Sequence, residues 1–421
     1  MNGFFIFYVT YMPKLKVLMI GPGEPNTLNS GLGIAAQHIA KYLAQETELT
    51  VIQPEQIGQE DSKSDFIRKI KNLSADKLSE TSLVTDLTKI NIRSKISPYF
   101  YPYLEFEIGE QEDDNTSQSS NSIVKAALAE FTNLVVKESK TIEFDIIYAH
   151  DWTALPAGME IKQKTNKPLV THIHSLDYDR NSKLNHSWVY DLEKKSFEHS
   201  DAIISVSQYT NDVIAHNYGE INEAKIHTVY NGNEPVVHKK PKKVFKEKLV
   251  LFVGRLTGQK GPNIFMEIAE KILQKHKNTR FVLAGDGHLM TNLINAAASK
   301  NIGSKFHFTG HIDRDQLLDL YAMCDVYCMP SVSEPFGLTA IEAANAGLPT
   351  VLSRQSGASE VLIGGLYADH WDVDGFAKHI LTVFKNDKKR KKMIEQNLSD
   401  LKSLTWENTA DQVLNVFNTF R

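Results

Sequence analysis

Cysteine is nearly absent: Cys324 and Cys328 are the only two in 421 residues, and both fall inside the apolar run Tyr321–Met329. Two thiols cannot build a disulfide framework, and no further cysteine is there to complete a zinc site, so both read as small core hydrophobes. A chain without a disulfide framework suits a reducing, cytoplasmic setting. Strong charge of either sign is missing too. The formal net charge is −4 and the sequence pI about 6.4, which excludes a global electrostatic pull toward nucleic acid or anionic membrane. The apolar stretch Phe4–Tyr11 is far short of the roughly 20 residues a bilayer span needs. It has no Lys or Arg before it and no small-residue cleavage site after it, so it does not read as a signal peptide. Residues 1–11 are read as an unstructured N-terminal extension, with a membrane-surface contact as the secondary reading.

What is present is an ordinary globular balance, 42% hydrophobic and 23% charged, in a length that implies two or three domains. Apolar runs of four to eight residues alternate with longer amphipathic stretches, the pattern of βαβ units and a parallel sheet. One series of predicted strands is Lys16–Ile20, Leu49–Gln53, Ile146–Ala149, Leu169–Ile173 and Ala202–Val206. A second is Ile226–Tyr230, Leu249–Val253, Arg280–Ala284, Lys305–Phe308, Asp325–Met329 and Thr350–Leu352. Small, polar and cationic residues follow them: Gly21, His150, His174, Ser207, Asn231, Gly254-Arg255, Gly285-Asp286-Gly287, Ser331 and Ser353. Ligands of open α/β sheets sit outside the carboxyl ends of strands, so this is a site distributed over two sheets. Residues 110–122 are too polar to pack and are expected to form a surface loop or disordered insert. The Pro- and Lys-rich stretch 236–248 reads as a linker. The expected division is a Rossmann-like half over 12–235, a second over 249–404, and a terminal helix over 405–421.

Four constellations carry chemistry. The first is a glycine turn, Gly21-Pro22-Gly23, followed by Ser30-Gly31-Leu32-Gly33 opening a helix over Ile34–Leu43. Its amides can approach an anion closely, but the spacing is not that of a dinucleotide fingerprint. The second is His150-Asp151-Trp152 together with His172 and His174, the last two on one side of a strand. His172 reads as a packing residue, and no His-Glu-x-x-His motif argues for metal here. The third is Gly254-Arg255-Leu256-Thr257-Gly258-Gln259-Lys260-Gly261, where an Arg and a Lys can converge on one anion such as a pyrophosphate leaving group. It lacks the Gly-Lys-Ser/Thr ending of a P-loop. The fourth is Ser331-Val332-Ser333-Glu334-Pro335-Phe336-Gly337-Leu338-Thr339-Ala340-Ile341-Glu342. Gly337-Leu338-Thr339 begin a helix whose free amides can face a phosphate, with Glu342 one turn on to accept from ribose hydroxyls. Glu334 can reach the sugar side.

These residues resemble the signature of retaining GT-B enzymes of glycosyltransferase family 4. Ser331–Glu342, with seven residues between its two glutamates, carries the resemblance, and Gly254–Gly261, Gly285-Asp286-Gly287, Tyr230-Asn231-Gly232 and Ser356-Gly357-Ala358-Ser359-Glu360 agree in order and spacing. The match is dense from about residue 226 to 362, and limited to isolated points before it. The resemblance implies two Rossmann-like domains facing each other across a cleft, with Trp406–Phe420 as a crossover helix packing back on the first. It implies that Arg255 and Lys260 bind the donor pyrophosphate, Leu338 and Thr339 offer backbone donors, and Glu342 holds the ribose. Glu334 would contact the sugar hydroxyls, His174 would sit over the reacting sugar, and Asp151 would border the same pocket. Gly31, Gly33, Gly254, Gly285 and Gly337 complete the implied donor site. Such enzymes work by front-face substitution with retention and generally need no metal or cofactor, which leaves the Asp-x-Asp matches at 177–179 and 372–374 coincidental.

His150-Asp151-Trp152 and the 174–180 run lean toward glycogen and starch synthase-like members. Bacterial-type glycogen synthases, however, carry a Lys before the first paired glycines, where this chain has Asn29-Ser30. UDP-sugar and ADP-sugar therefore both stand as donors. The expected activity is hexosyl transfer, of glucose, to a saccharide acceptor such as an α-glucan. The alternatives are a lipid-linked or cell-surface glycan acceptor, and a non-catalytic nucleotide-sugar-binding protein.

Overall fold

The computed structural model describes residues 13–21, 31–54, 90–96, 114–180, 187–234 and 245–421. Two parallel sheets organise it. The first has seven strands in the order β3-β2-β1-β4-β5-β6-β7. These are β1 Leu15–Ile20, β2 Thr47–Pro54, β3 Ile90–Ile96, β4 Ile146–His150, β5 Leu169–Ile173, β6 Ala202–Ser205 and β7 Ile226–Thr228. The second has six, in the order β10-β9-β8-β11-β12-β13. These are β8 Lys248–Val253, β9 Thr279–Ala284, β10 Phe306–Gly310, β11 Val326–Met329, β12 Thr350–Ser353 and β13 Leu366–Ala368. Each sheet begins in its middle and reverses direction there, between β1 and β4 and between β8 and β11. Those reversals are the switch points where an open α/β sheet leaves a crevice at its strand ends.

The strands read as unbroken apolar runs because helices cover both faces. In β1, Val17 and Met19 pack with Ile39 and Val413 on one side, while Leu18 and Ile20 pack with Phe131 and Leu155 on the other. The terminal helix Trp406–Asn418 lies against the helix Gly31–Glu46, and Trp406, Val413 and Phe417 are buried in the first sheet's cluster. The chain thus leaves the second half and finishes on the first. Where it crosses, a Cβ on Gly232 would fall 2.2 Å from the Trp406 amide nitrogen, so the crossing needs glycine there. Both cysteines are buried and free, and burial pushes the Cys328 thiol far above its ordinary range, as befits a core hydrophobe.

Four expectations change. Residues 114–122 of the polar insert open a helix, Asp114–Ser139, in which Val124 is buried. Polarity argues against burial but not against helix, since a helix start tolerates Asp, Ser, Asn and Gln. The edge strands β3 and β13 were not anticipated. Helix Gly31–Glu46 starts and ends three residues outside the expected Ile34–Leu43. Residues 1–11, Pro22–Ser30 of the glycine turn, 110–113 and most of the 236–248 linker lie outside the described residues, while Lys248 opens β8.

Candidate active site

In the second half, the loops after β8 and β9 are packed backbone to backbone. Gly254 donates to the Ala284 carbonyl at 3.0 Å, and Leu256 to the Asp286 carbonyl at 2.8 Å. A Cβ on Gly285 would sit 2.0 Å from the Gly254 oxygen, and one on Gly287 2.6 Å from the Leu256 oxygen. Both glycines also have positive φ, 139° and 158°. Gly285, expected at the donor, therefore has a structural duty: it lets the β9 loop press the Gly254-Arg255 loop into shape. That loop leads into a single 3₁₀ turn, Gly258–Lys260, closed by Gly261 with φ 69°.

The turn delivers Lys260 to Glu334. Lys260 Nζ lies 2.6 Å from Glu334 Oε2, and Ser331 Oγ donates to the same oxygen at 3.3 Å. Glu334 is only 6% exposed, so its charge is tolerable because the ammonium is there. The following helix, Leu338–Asn345, starts after Gly337 in the left-handed region at φ 100°, with no side-chain cap. Ala340 and Ile341 amides donate back to Gly337 O, which leaves those of Leu338 and Thr339 at the positive end of the helix. A Cβ on Gly31, from the first half, would lie 3.6 Å from Leu338 Cδ1. The structure thus brings together Lys260, Glu334, Gly337, Leu338 and Gly31, while half-buried Arg255 lies on the same β8 loop.

At the carboxyl ends of β4 and β5, the parallel register sets His150 beside His172, and His174 follows on the same face. His150 Nδ1 is 3.0 Å from His174 Nε2, and the His172 and His174 rings stack with centroids 4.3 Å apart. Tyr148 Oη contacts His172 Nδ1 at 2.5 Å. Burial holds all three imidazoles neutral, His174 down to about 3. Neutral His174 can accept a proton or a hydrogen bond. Asp151 is 1% exposed, at φ 51°, and Oδ1 accepts the His174 amide at 2.7 Å and that of Ser175 at 3.4 Å. Its carboxyl is pushed up to about 7 by burial, against the pull of those amides and Arg180. Asp151 therefore fixes the backbone that carries His174.

The two halves are joined beside these groups. Ser333 Oγ, next to Glu334, donates to Asp179 Oδ1 at 2.5 Å, just after His174 in the chain. Ser207 Oγ donates to Pro335 O at 2.5 Å. Glu360 accepts the amides of Gln208 and Tyr209 at 2.8 and 2.7 Å, sitting on the N-terminus of helix Gln208–Asn217. Glu342 is half-buried; it accepts from Tyr321 Oη at 3.1 Å and faces a crevice lined by His38, Glu234, Arg314 and Trp406. Burial raises its carboxyl above the ordinary range, opposed by Arg314 and Tyr321. The Asp-x-Asp carboxylates have separate partners: Asp177 takes Ser187, Asp179 takes Leu176 N and Ser333, Asp372 caps Gly375 N, and Asp374 pairs with Lys271.

Sequence reasoning missed the three-histidine group, the Tyr148 contact and the bridges from Ser333 and Glu360. Alternation along β5 already signalled the His172–His174 pair, but grouping them with His150 needed the β4–β5 register.

The family model described as Glycosyl transferases group 1 matches residues 233–399, and that described as Glycosyltransferase Family 4 matches residues 120–235. The chain is 30% identical over 299 residues to an uncharacterised glycosyltransferase of Methanocaldococcus jannaschii, across 65% of this chain and 75% of that one. It is 29% identical over 291 residues to glycogen synthase of Mycobacterium tuberculosis, across 65% and 68%. Sucrose-phosphate synthase from Thermosynechococcus elongatus superposes with a TM-score of 0.71 at 18% identity, covering 96% of this chain and 99% of that one. Anabaena HepE in complex with UDP and glucose does so with a TM-score of 0.70 at 17% identity, covering 96% and 100%. At those identities the two structures speak for the fold.

Proposed function

The chain belongs to glycosyltransferase family 4, with the GT-B fold, and from that premise we propose that it transfers glucose from a UDP- or ADP-sugar to an α-glucan acceptor with retention of configuration. The observation that carries this reading is the Lys260–Glu334 pair at the open start of helix Leu338–Asn345. A cation and the uncapped first turn of a helix are linked through Glu334, as a departing nucleoside diphosphate needs. Arg255 joins them from the same loop. Glu342 takes the ribose hydroxyls and Glu334 those of the sugar. His174, neutral and held by Asp151 and His150, stands over the reacting sugar. No carboxylate is offered as a nucleophile; the departing phosphate itself takes the acceptor proton.

Glucose as the sugar and a glucan as the acceptor are supported by the glycogen synthase relative, and a UDP donor by HepE, whose structure holds UDP and glucose. A second acceptor class has its own support, since relatives include the D-inositol 3-phosphate glycosyltransferase of Corynebacterium efficiens, at 24% identity. Among the described residues no helix is long and apolar enough to cross a membrane. We place the reaction in the cytoplasm, without a metal. The test is transfer from UDP-glucose and ADP-glucose to maltooligosaccharides, with the new linkage read by NMR. An α-linkage is expected; a β-linkage would overturn retention.

A further inference from the structure

We propose that His150, His172 and His174 form a binding site for a borderline divalent transition-metal ion such as Zn²⁺, and that the bound ion withdraws His174 from the reaction. The site stands on geometry alone; the inhibition rests on the role of His174 proposed above. One ring nitrogen from each histidine lies within 4.8 Å of the other two, and all three side chains are buried. The β4–β5 register builds this group, because His150 and His172 are direct neighbours and His174 is two residues further along the same face.

Two features separate it from an ordinary packing cluster. Among the described residues, His150 Nε2, His172 Nε2 and His174 Nδ1 have no hydrogen-bond partner. Of these, His172 Nε2 is the one that would face an ion, an unpartnered buried nitrogen being costly in a core; His150 and His174 would present Nδ1 and Nε2, which already face each other. Second, the orienting contacts of a metal site already surround the rings. Tyr148 Oη sits at 2.5 Å on His172 Nδ1, which leaves Nε2 for an ion, and Asp151 fixes the backbone at His174.

The distances fit a small borderline ion. Zn–N bonds of about 2.0–2.1 Å in a tetrahedron put ligand nitrogens about 3.3 Å apart. His150 Nδ1 and His174 Nε2 are already 3.0 Å apart, so an ion replaces the shared proton with little movement. His172 must turn out of its stack on His174, 4.3 Å between centroids, to bring Nε2 in. Three imidazoles without a carboxylate select Zn²⁺, Cu²⁺ or Ni²⁺ over Mg²⁺ or Mn²⁺. The fourth position is left to water. His174, 8% exposed, is the least buried of the three and the side from which an ion enters.

The test is equilibrium dialysis of chelator-treated full-length protein against Zn²⁺, with Mg²⁺ as the control cation. Co²⁺ is added separately to read the visible d–d bands of a tetrahedral site. His172→Gln and His150→Gln are run alongside, each checked for folding by circular dichroism. One Zn²⁺ per chain, tetrahedral Co²⁺ bands, and at least about tenfold weaker binding in both folded variants are expected. No bound Zn²⁺, or equal binding in the variants, overturns the site. Zn²⁺ bound stoichiometrically with undiminished transferase activity would leave the site standing and overturn the inhibition.

Discussion

Replacing Lys260 with Ala separates stability from chemistry at the proposed donor site. The Lys260–Glu334 contact is 2.6 Å, with side chains 20% and 8% exposed. At an effective dielectric near 20, that distance corresponds to an attraction of about 6 kcal/mol before desolvation is subtracted. The measurable loss is smaller, because the comparison is with a buried carboxylate left without its cation, about 3 kcal/mol for a partly solvated pair. Ser331 Oγ, at 3.3 Å, is a weak replacement. Denaturant unfolding of Lys260→Ala should show that loss, and Lys260→Ala with Glu334→Gln should recover much of it. In turnover the two substitutions should behave differently. Loss of the leaving-group cation lowers kcat by about 10²–10³-fold, and the second substitution cannot restore it. Steady-state transfer assays on the two variants read this directly. Lys260→Ala activity within about threefold of wild type, under 1 kcal/mol in the barrier, would refute the assignment of Lys260 to the departing phosphate.

Glu360→Ala removes the hydrogen bonds from the Gln208 and Tyr209 amides but no charge partner within a core, so unfolding should change by only about 1–2 kcal/mol. Amide exchange at residues 208–212 should nevertheless quicken; unchanged exchange there would show that Glu360 does not hold the halves together. For Glu342, the groups facing it are Tyr321, Arg314, Glu234 and His38, and the carboxyl is raised above its ordinary value. It therefore takes up a proton at higher pH than an exposed glutamate, and its contribution to folding is largest below the ordinary value and is lost as pH rises. A protonated carboxyl binds ribose hydroxyls less well, so donor affinity measured calorimetrically should fall from pH 8 to 5, while that of Glu342→Gln stays flat. A wild-type affinity independent of pH would remove Glu342 from the ribose site.

In the second half the central strands were legible because they are buried on both faces. Runs such as Leu249–Val253 and Thr350–Leu352 have no polar interruption, and the residues that follow them are those a close backbone approach requires. Gly285 and Gly337 could be singled out from their place in the chain, but only the fold shows that Gly285 serves the neighbouring Gly254 loop while Gly337 starts a helix at positive φ. The first half was less legible for a related reason. Its chemistry lies in contacts between strands and between halves, such as His150 beside His172, or Asp179 under Ser333, 154 residues away. The helix Asp114–Ser139 was missed because its first turns are polar in sequence, and a polar helix start reads like a loop. Asp151 was placed correctly at a strand end, yet its carboxylate turned inward to the His174 amide, which no spacing rule foretells.

Central to all of this is a nucleotide-sugar held at the start of helix Leu338–Asn345. The most direct test is thermal stabilisation of the protein across UDP-, ADP- and GDP-sugars, in chelator and then in Mg²⁺. A ligand at about 100 times its dissociation constant adds about 2.7 kcal/mol to the folded state, a shift well above noise. A shift in chelator with a UDP- or ADP-sugar, lost in Lys260→Ala, is the predicted result. No shift with any nucleotide-sugar, or one that survives loss of Lys260, would contradict the account.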